Sequence, residues 1–271
     1  MSFADTYLSR YASKRVKELP LPDQNLFLSV VIPVYNEPGL IKSLNSLFNS
    51  KSPGVPWEII LVVNEPEDCP SDHHHQNQET LKELDSLAKL NDDKELKIHI
   101  HNPSPFPKKK AGPGMARKIG MDESIRRFNF LDRPEGIIVS FDADTICSPD
   151  YFSALMGFYN KFPYSGGCTV YFEHKMDEDA DLNSVNLNAI LQYELYLRYF
   201  KLSLEWMTFP YANYALGSAF SVTAGRYVNA GGMGLQQAGE DFYFLQKCIP
   251  LGNFYELNNT SVYPSSRASD R

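Results

Sequence analysis

Through its first 170 residues the chain alternates short apolar runs with amphipathic stretches, the pattern of a parallel sheet covered by helices. Leu28-Ser29-Val30-Val31-Ile32 reads as a buried strand, and a helix over 38–50 follows with Leu40, Ile41, Leu44, Leu47 and Phe48 on one face. The repeat continues with a strand over 58–63, a helix over 78–90, a strand over 96–100, a helix over 114–128 and a fourth strand over 137–141. Ligands of open α/β sheets bind outside the carboxyl ends of the strands, so the turns at 34–37, 64–68 and 142–144 are expected to face one crevice.

The later part reads differently. A helix over 149–162 is expected with Ser148 as its cap, then a strand over 167–172 and a long aromatic helix over 182–206. Amphipathic packing against the sheet is the simplest account of that helix, with Arg198, Lys201 and Glu205 as its wet face; an acceptor groove or a peripheral membrane contact is the alternative. A strand over 215–222 and a glycine loop at Gly231-Gly232-Met233-Gly234 precede a last helix that starts at Glu240-Asp241-Phe242. The end, over 263–271, is polar and lacks a clear final element.

Composition narrows the class. Hydrophobic residues make up 43% and aromatics 13%, ample for a core, and the net charge of −7 argues against a nucleic-acid surface. Cys69, Cys147, Cys168 and Cys248 lie far apart without a C-x-x-C pair, which fits a reduced, cytoplasmic protein. No apolar run approaches the roughly 20 residues of a membrane span. His73-His74-His75 falls in a polar stretch and is read as a solvent-exposed loop rather than a zinc site, because three adjacent histidines do not readily share one ion.

Two carboxylates, Asp142 and Asp144, stand at the exit of the fourth strand. Such a pair caps backbone N–H groups in many turns, but it also suits a hard divalent cation, which takes one or two carboxylates and completes its shell with water and phosphate oxygens. The order in which Val31-Ile32-Pro33-Val34-Tyr35-Asn36-Glu37, Asp142-Ala143-Asp144 and Gly239-Glu240-Asp241 follow one another resembles the family 2 glycosyltransferases of the GT-A fold. The resemblance covers about residues 28–250.

It implies an α/β fold with a mostly parallel open sheet, and a metal-dependent, inverting transfer of a sugar from a nucleotide-diphospho-sugar to an acceptor hydroxyl. On it, Asp144 binds Mg²⁺ or Mn²⁺, Asp142 lies by the ribose, and Asp241 is the general base, with Glu240, Gly217 and Ser218 in support. Pro33, Tyr35 and Glu37 border base and ribose. Lys108-Lys109-Lys110 feeds Gly112-Pro113-Gly114-Met115-Ala116-Arg117-Lys118, which resembles the family's G-x-x-x-A-R-N-x-G element, and a lysine run at a helix start can hold an anion. Lys110 and Arg117 are the phosphate or nucleotide candidates there, and a solvated loop is the alternative for Lys108 and Lys109.

The chain departs from the family at Asn64, where an acid usually reads uracil; an amide both donates and accepts, so a UDP-sugar is the default donor and a GDP-sugar stays open. The acceptor is a glycan, a lipid-linked molecule or another hydroxyl compound, with no nucleic acid and with a place in the cytoplasm or at the inner face of a membrane. The implied organisation is a helical extension over 1–27, a catalytic domain over 28–262 divided into nucleotide-binding (28–145) and acceptor (146–262) halves, and a polar tail over 263–271, in keeping with a truncated end. A nucleotidyltransferase on a related sheet would carry a glycine-rich loop after the first strand, unlike Val34-Tyr35-Asn36-Glu37-Pro38. A non-catalytic nucleotide-sugar or glycan-binding module would be expected to lack acids that this chain keeps.

Overall fold

The computed structural model describes residues 1–14, 18–91, 93–103, 105–175, 184–236 and 238–267. Strands β1 (Leu28–Val34), β2 (Trp57–Val63), β3 (Leu96–His101) and β4 (Ile137–Ser140) run parallel, in the spatial order β3-β2-β1-β4. Each residue of β1, β2 and β4 is buried, as the unbroken apolar runs require when both faces of a parallel sheet are covered. Side chains alternate between faces: Val30, Ile32 and Val34 join the core under helices α2 (Leu40–Phe48) and α3 (Ser71–Leu90), whereas Val31 joins the core under α4 (Pro113–Phe130). Strand order therefore reverses between β1 and β4, and the crevice of such a sheet opens there, at the ends that carry Tyr35 and Asp142.

Beyond β4 the sheet is mixed. β7 (Phe220–Thr223) pairs antiparallel with both β4 and β6 (Gly167–Phe172), β6 pairs parallel with β8 (Phe254–Tyr263), and β5 (Ile146–Cys147) closes the edge against β8. β8 is not among the expected elements, which end with the helix that starts at Glu240, whereas residues 264–267 of the polar tail form no helix or strand. The expected strand over 215–222 shortens to β7, because the backbone before Phe220 turns at Gly217 and Ser218. Helix α5 (Tyr151–Lys161) starts after Asp150 and its cap makes no side-chain hydrogen bond; Ser148 instead lies beside Tyr263, with Oγ 3.2 Å from the phenol, so Ser148 is not the cap. Helices α6 (Ser184–Trp206), α7 (Ala224–Asn229) and α8 (Glu240–Cys248) complete the chain, and 182–183 of the expected aromatic helix lie outside the described residues, as do 268–271 of the polar tail.

The N-terminal stretch carries a short helix, α1 (Asp5–Arg10), docked on α4 through a buried carboxylate. Asp122 is fully buried and accepts from the Tyr7 hydroxyl at 2.6 Å, the Tyr227 hydroxyl at 2.9 Å and the Ser13 N–H at 2.5 Å, with Lys118 Nζ 3.1 Å away. A charge buried this way persists because each lone pair meets a donor.

Helix α4 lies close on the sheet through Gly120, where a Cβ would stand 2.4 Å from Val31 Cγ1 and 3.2 Å from Val62 Cγ2. Gly120→Ala is expected to cost about 1–3 kcal/mol by overpacking. The midpoint of urea unfolding should fall at unchanged m-value; an unchanged midpoint would show that the helix can retreat without cost.

Candidate active site

The crevice is a cleft of about 760 Å³. Its walls come from the loops after β1 (Pro33, Val34, Tyr35) and β2 (Asn64, Pro66, Asp68), from the start of α4, and from Asp142, Gly217 and the turn into α8 (Gly239, Glu240, Asp241). Eight sequence-predicted residues thus meet at one cavity: Pro33, Tyr35, Asn64, Arg117, Asp142, Gly217, Glu240 and Asp241.

Arg117 organises the floor. It is buried on the first turns of α4, and its Nη1 pairs with Glu240 while its Nη2 pairs with Asp142. Burial pulls the guanidinium down, but Asp142, Glu240 and Asp241 more than offset this and hold its pKa above the usual value. Gly217 admits this side chain, since a Cβ there would stand 2.4 Å from Nη2. Asp241 is half-buried at the cleft, where burial raises its carboxyl above the usual 3.8 and Arg117 pulls the other way. Glu240 is raised by the same opposed causes. The α8 N-cap is Gly239 in the left-handed region at φ 69° without a side-chain cap bond, so Glu240 serves Arg117 rather than the helix terminus; Asp241 accepts from its neighbour's Phe242 N–H at 2.7 Å.

Tyr35 is held from outside. Its hydroxyl lies 3.0 Å from His73 Nδ1 and 3.8 Å from Cys69 Sγ, the Tyr35 and His73 rings meet edge to face at 5.5 Å, and burial raises the phenol. His73-His74-His75 therefore does not form a solvent-exposed loop; it occupies the first turns of α3, and His73 takes Tyr35, His74 takes Glu65 at 3.0 Å, and His75 takes Glu79 at 3.2 Å. Three divergent partners leave no shared ion. The β1 exit is further pinned by Asn77, whose Oδ1 accepts the Asn36 N–H at 2.9 Å while Asn36 itself sits in the left-handed region.

The remaining candidates fall elsewhere. Glu37 is buried, accepts the Gly39 N–H at 2.9 Å and pairs with Arg267, so its carboxylate closes the start of α2 onto the C-terminal segment. Lys110 is exposed outside the cleft lining; Lys108 lines the mouth instead and pairs with Asp68 at 2.5 Å. Ser218 is buried behind the wall. Asp144 is half-buried two residues beyond Asp142, outside the lining.

Whether this end of the cleft suits a cation is a matter of charge. Asp142, Glu240 and Asp241 act on one guanidinium, with Asp144 adjacent in the chain, so carboxylate oxygens exceed the positive charge set among them. No three His, Cys, Asp or Glu side chains among the described residues form a ready cage. An ion that needs only one or two protein carboxylates, with water and phosphate for the rest, fits such a donor set.

The sheet order, the crevice between β1 and β4 and the mixed second half define the GT-A type of glycosyltransferase fold. Residues 29–217 match the family described as Glycosyl transferase family 2. The chain belongs to that family. Among solved structures it is similar to S. aureus TarS 1–349 in complex with UDP-GlcNAc, at 15% identity and a TM-score of 0.57 over 90% of this chain and 60% of that one. The UDP complex of the same protein gives 13% identity and a TM-score of 0.54 over 88% and 60% of the two chains. The chain thus spans about 60% of the length of these TarS structures. No curated protein matches it in sequence. Among the described residues, no helix is long and apolar enough to cross a membrane.

Proposed function

We propose that the protein is a metal-dependent, inverting glycosyltransferase that moves a sugar from a nucleotide-diphospho-sugar to an acceptor hydroxyl. The observation that carries this reading is the convergence of Tyr35, Asn64, Asp142 and Asp241, from four separate stretches of chain, on one cleft at the reversal of strand order. Tyr35 and Asn64 border the nucleobase, Asp142 the ribose. Asp144, with Asp142 beside it, would hold Mg²⁺ or Mn²⁺, which when bound neutralises charge on the leaving diphosphate. Asp241 takes the proton from the acceptor hydroxyl. A single carboxylate base with no second nucleophile fits one displacement, hence inversion.

Asn64 can contact the base but does not by itself choose between uracil and guanine. Its Oδ1 accepts the Gly112 N–H at 3.3 Å, and among the described residues nothing takes its Nδ2. That amide can donate to a uracil carbonyl or to guanine O6, where a carboxylate could donate to neither. The UDP and UDP-GlcNAc complexes of TarS are what favour uridine as the donor base.

A thermal-shift screen with UDP, GDP and their sugars, each with Mg²⁺, Mn²⁺ or a chelator, tests the proposal. UDP at 100 times its dissociation constant should add about 2.7 kcal/mol of stability, and chelation should remove most of the shift. A shift with GDP alone would replace the base. The absence of any nucleotide shift in the presence of either cation would reject the transferase reading in favour of a glycan-binding module.

A further inference from the structure

Helix α6 is built inside out. At 3.6 residues per turn, its charged side chains Glu194, Arg198, Lys201 and Glu205 fall within one arc, and the first three are tied to the body of the protein. Arg198 lies over the rings of Tyr171, Phe172 and Tyr214 at 4.5–5.1 Å and donates to the Phe172 carbonyl. Lys201 is buried between Glu205 at 2.5 Å and Glu256 at 3.1 Å, and Glu194 accepts from the His174 backbone N–H at 2.6 Å. The opposite arc presents Leu195, Tyr196, Tyr199, Phe200, Leu202 and Trp206 to the outside, 48–85% exposed. The expectation that the aromatic face packs on the sheet and the charges face water is therefore reversed.

A face of this kind needs a cover. Aromatic side chains offer roughly 150–250 Å² apiece, so four of them and two leucines at this partial exposure present on the order of 700 Å², above the ~300–600 Å² of the largest patch on a typical monomer and close to the ~800 Å² per partner of a stable interface. Its Tyr, Trp, Phe and Leu side chains, free of charge, have the composition of an interface centre.

We propose that the occupant is a second copy of this chain, with α6 packed on α6 about a two-fold axis. Two-fold pairing sets a patch against itself, which an uncharged arc tolerates and a charged one does not. The arc of Leu195, Tyr196, Tyr199, Phe200, Leu202 and Trp206 holds no acid to repel its mate. A membrane surface is the weaker fit, since no Lys or Arg of α6 faces outward to meet anionic headgroups.

Sedimentation velocity across a range of micromolar concentrations tests this. The wild-type protein should sediment as a dimer, and Tyr199→Glu and Leu195→Glu, each at an exposed position that leaves the core intact, should weaken dimerisation at least ~30-fold, the scale of one interface hot spot. Unchanged circular dichroism and melting temperature verify folding, and Leu90→Glu, exposed on α3, should leave the dimer whole. A wild-type monomer at every concentration overturns the proposal, as does a dimer untouched by both variants. Cosedimentation of a monomer with neutral or anionic phospholipid vesicles, lost in Tyr199→Glu, would reassign the face to lipid and likewise overturn it.

Discussion

Asp241→Asn is expected to lower kcat by about 10²–10⁴, the usual contribution of a general base, while nucleotide affinity stays within a few fold of wild type. The reasoning runs through the neighbouring acids. Glu240 pairs with Arg117 Nη1 and Asp142 with Arg117 Nη2, whereas Asp241 bonds locally to the Phe242 N–H and lines the cleft. Burial raises its carboxyl above 3.8, which moves a weak base toward working pH. Because the ionised form must act, kcat/KM should fall as pH drops through this raised value, and the acid limb of the profile should lie above 3.8. An asparagine is isosteric and keeps the Phe242 contact, so a structural role alone would spare turnover. Wild-type turnover by the variant, with the true donor and acceptor, would remove Asp241 from the reaction.

How much of this could be read from the chain follows from what kind of force places each residue. Strands β1, β2 and β4 are legible because both faces are buried and the apolar runs are unbroken. β8 is not, because its burial lacks a clean two-residue alternation, with Asn258 and Asn259 exposed side by side, and three of its four central residues, Leu257-Asn258-Asn259-Thr260, are polar; pairing with β6 rather than local preference makes it a strand. The start of α3 hides behind a Pro and a polar, histidine-rich first turn. Helix α6 misleads for a different reason: a sequence shows an amphipathic helix but not which arc faces the fold, and here the rings of Tyr171, Phe172 and Tyr214 recruit Arg198 inward.

Within the site, the convergence of β1, β4 and α8 ends was legible from element order, while the partners were not. His73 behind Tyr35, Lys108 in place of Lys110 at the mouth, and Arg267 on Glu37 are long-range contacts set by how loops dock.

Arg117→Met tests the largest structural consequence of the site. The resemblance makes Arg117 a nucleotide contact, but its guanidinium is buried between Asp142 and Glu240, so its removal leaves Glu240 as a buried, uncompensated charge. Breaking one partner of such a group costs about 3–5 kcal/mol, and methionine keeps the volume without the charge. The cost should depend on pH. Burial raises Glu240 above 4.5 and Arg117 lowers it, so without the guanidinium the folded-state value climbs further from the unfolded one. An acid whose folded pKa is raised loses stability as pH rises from the unfolded value through the folded one. The gap in melting temperature between variant and wild type should therefore be wide at about pH 8 and narrow as the pH is lowered toward about 5, where protonated Glu240 needs no partner. Asp241, relieved of the same cation, should also rise, carrying the acid limb of any residual kcat/KM profile to higher pH. A variant that melts with the wild type at all pH values, yet binds nucleotide weakly, would show instead that Arg117 serves the ligand and that the carboxylates stand without it.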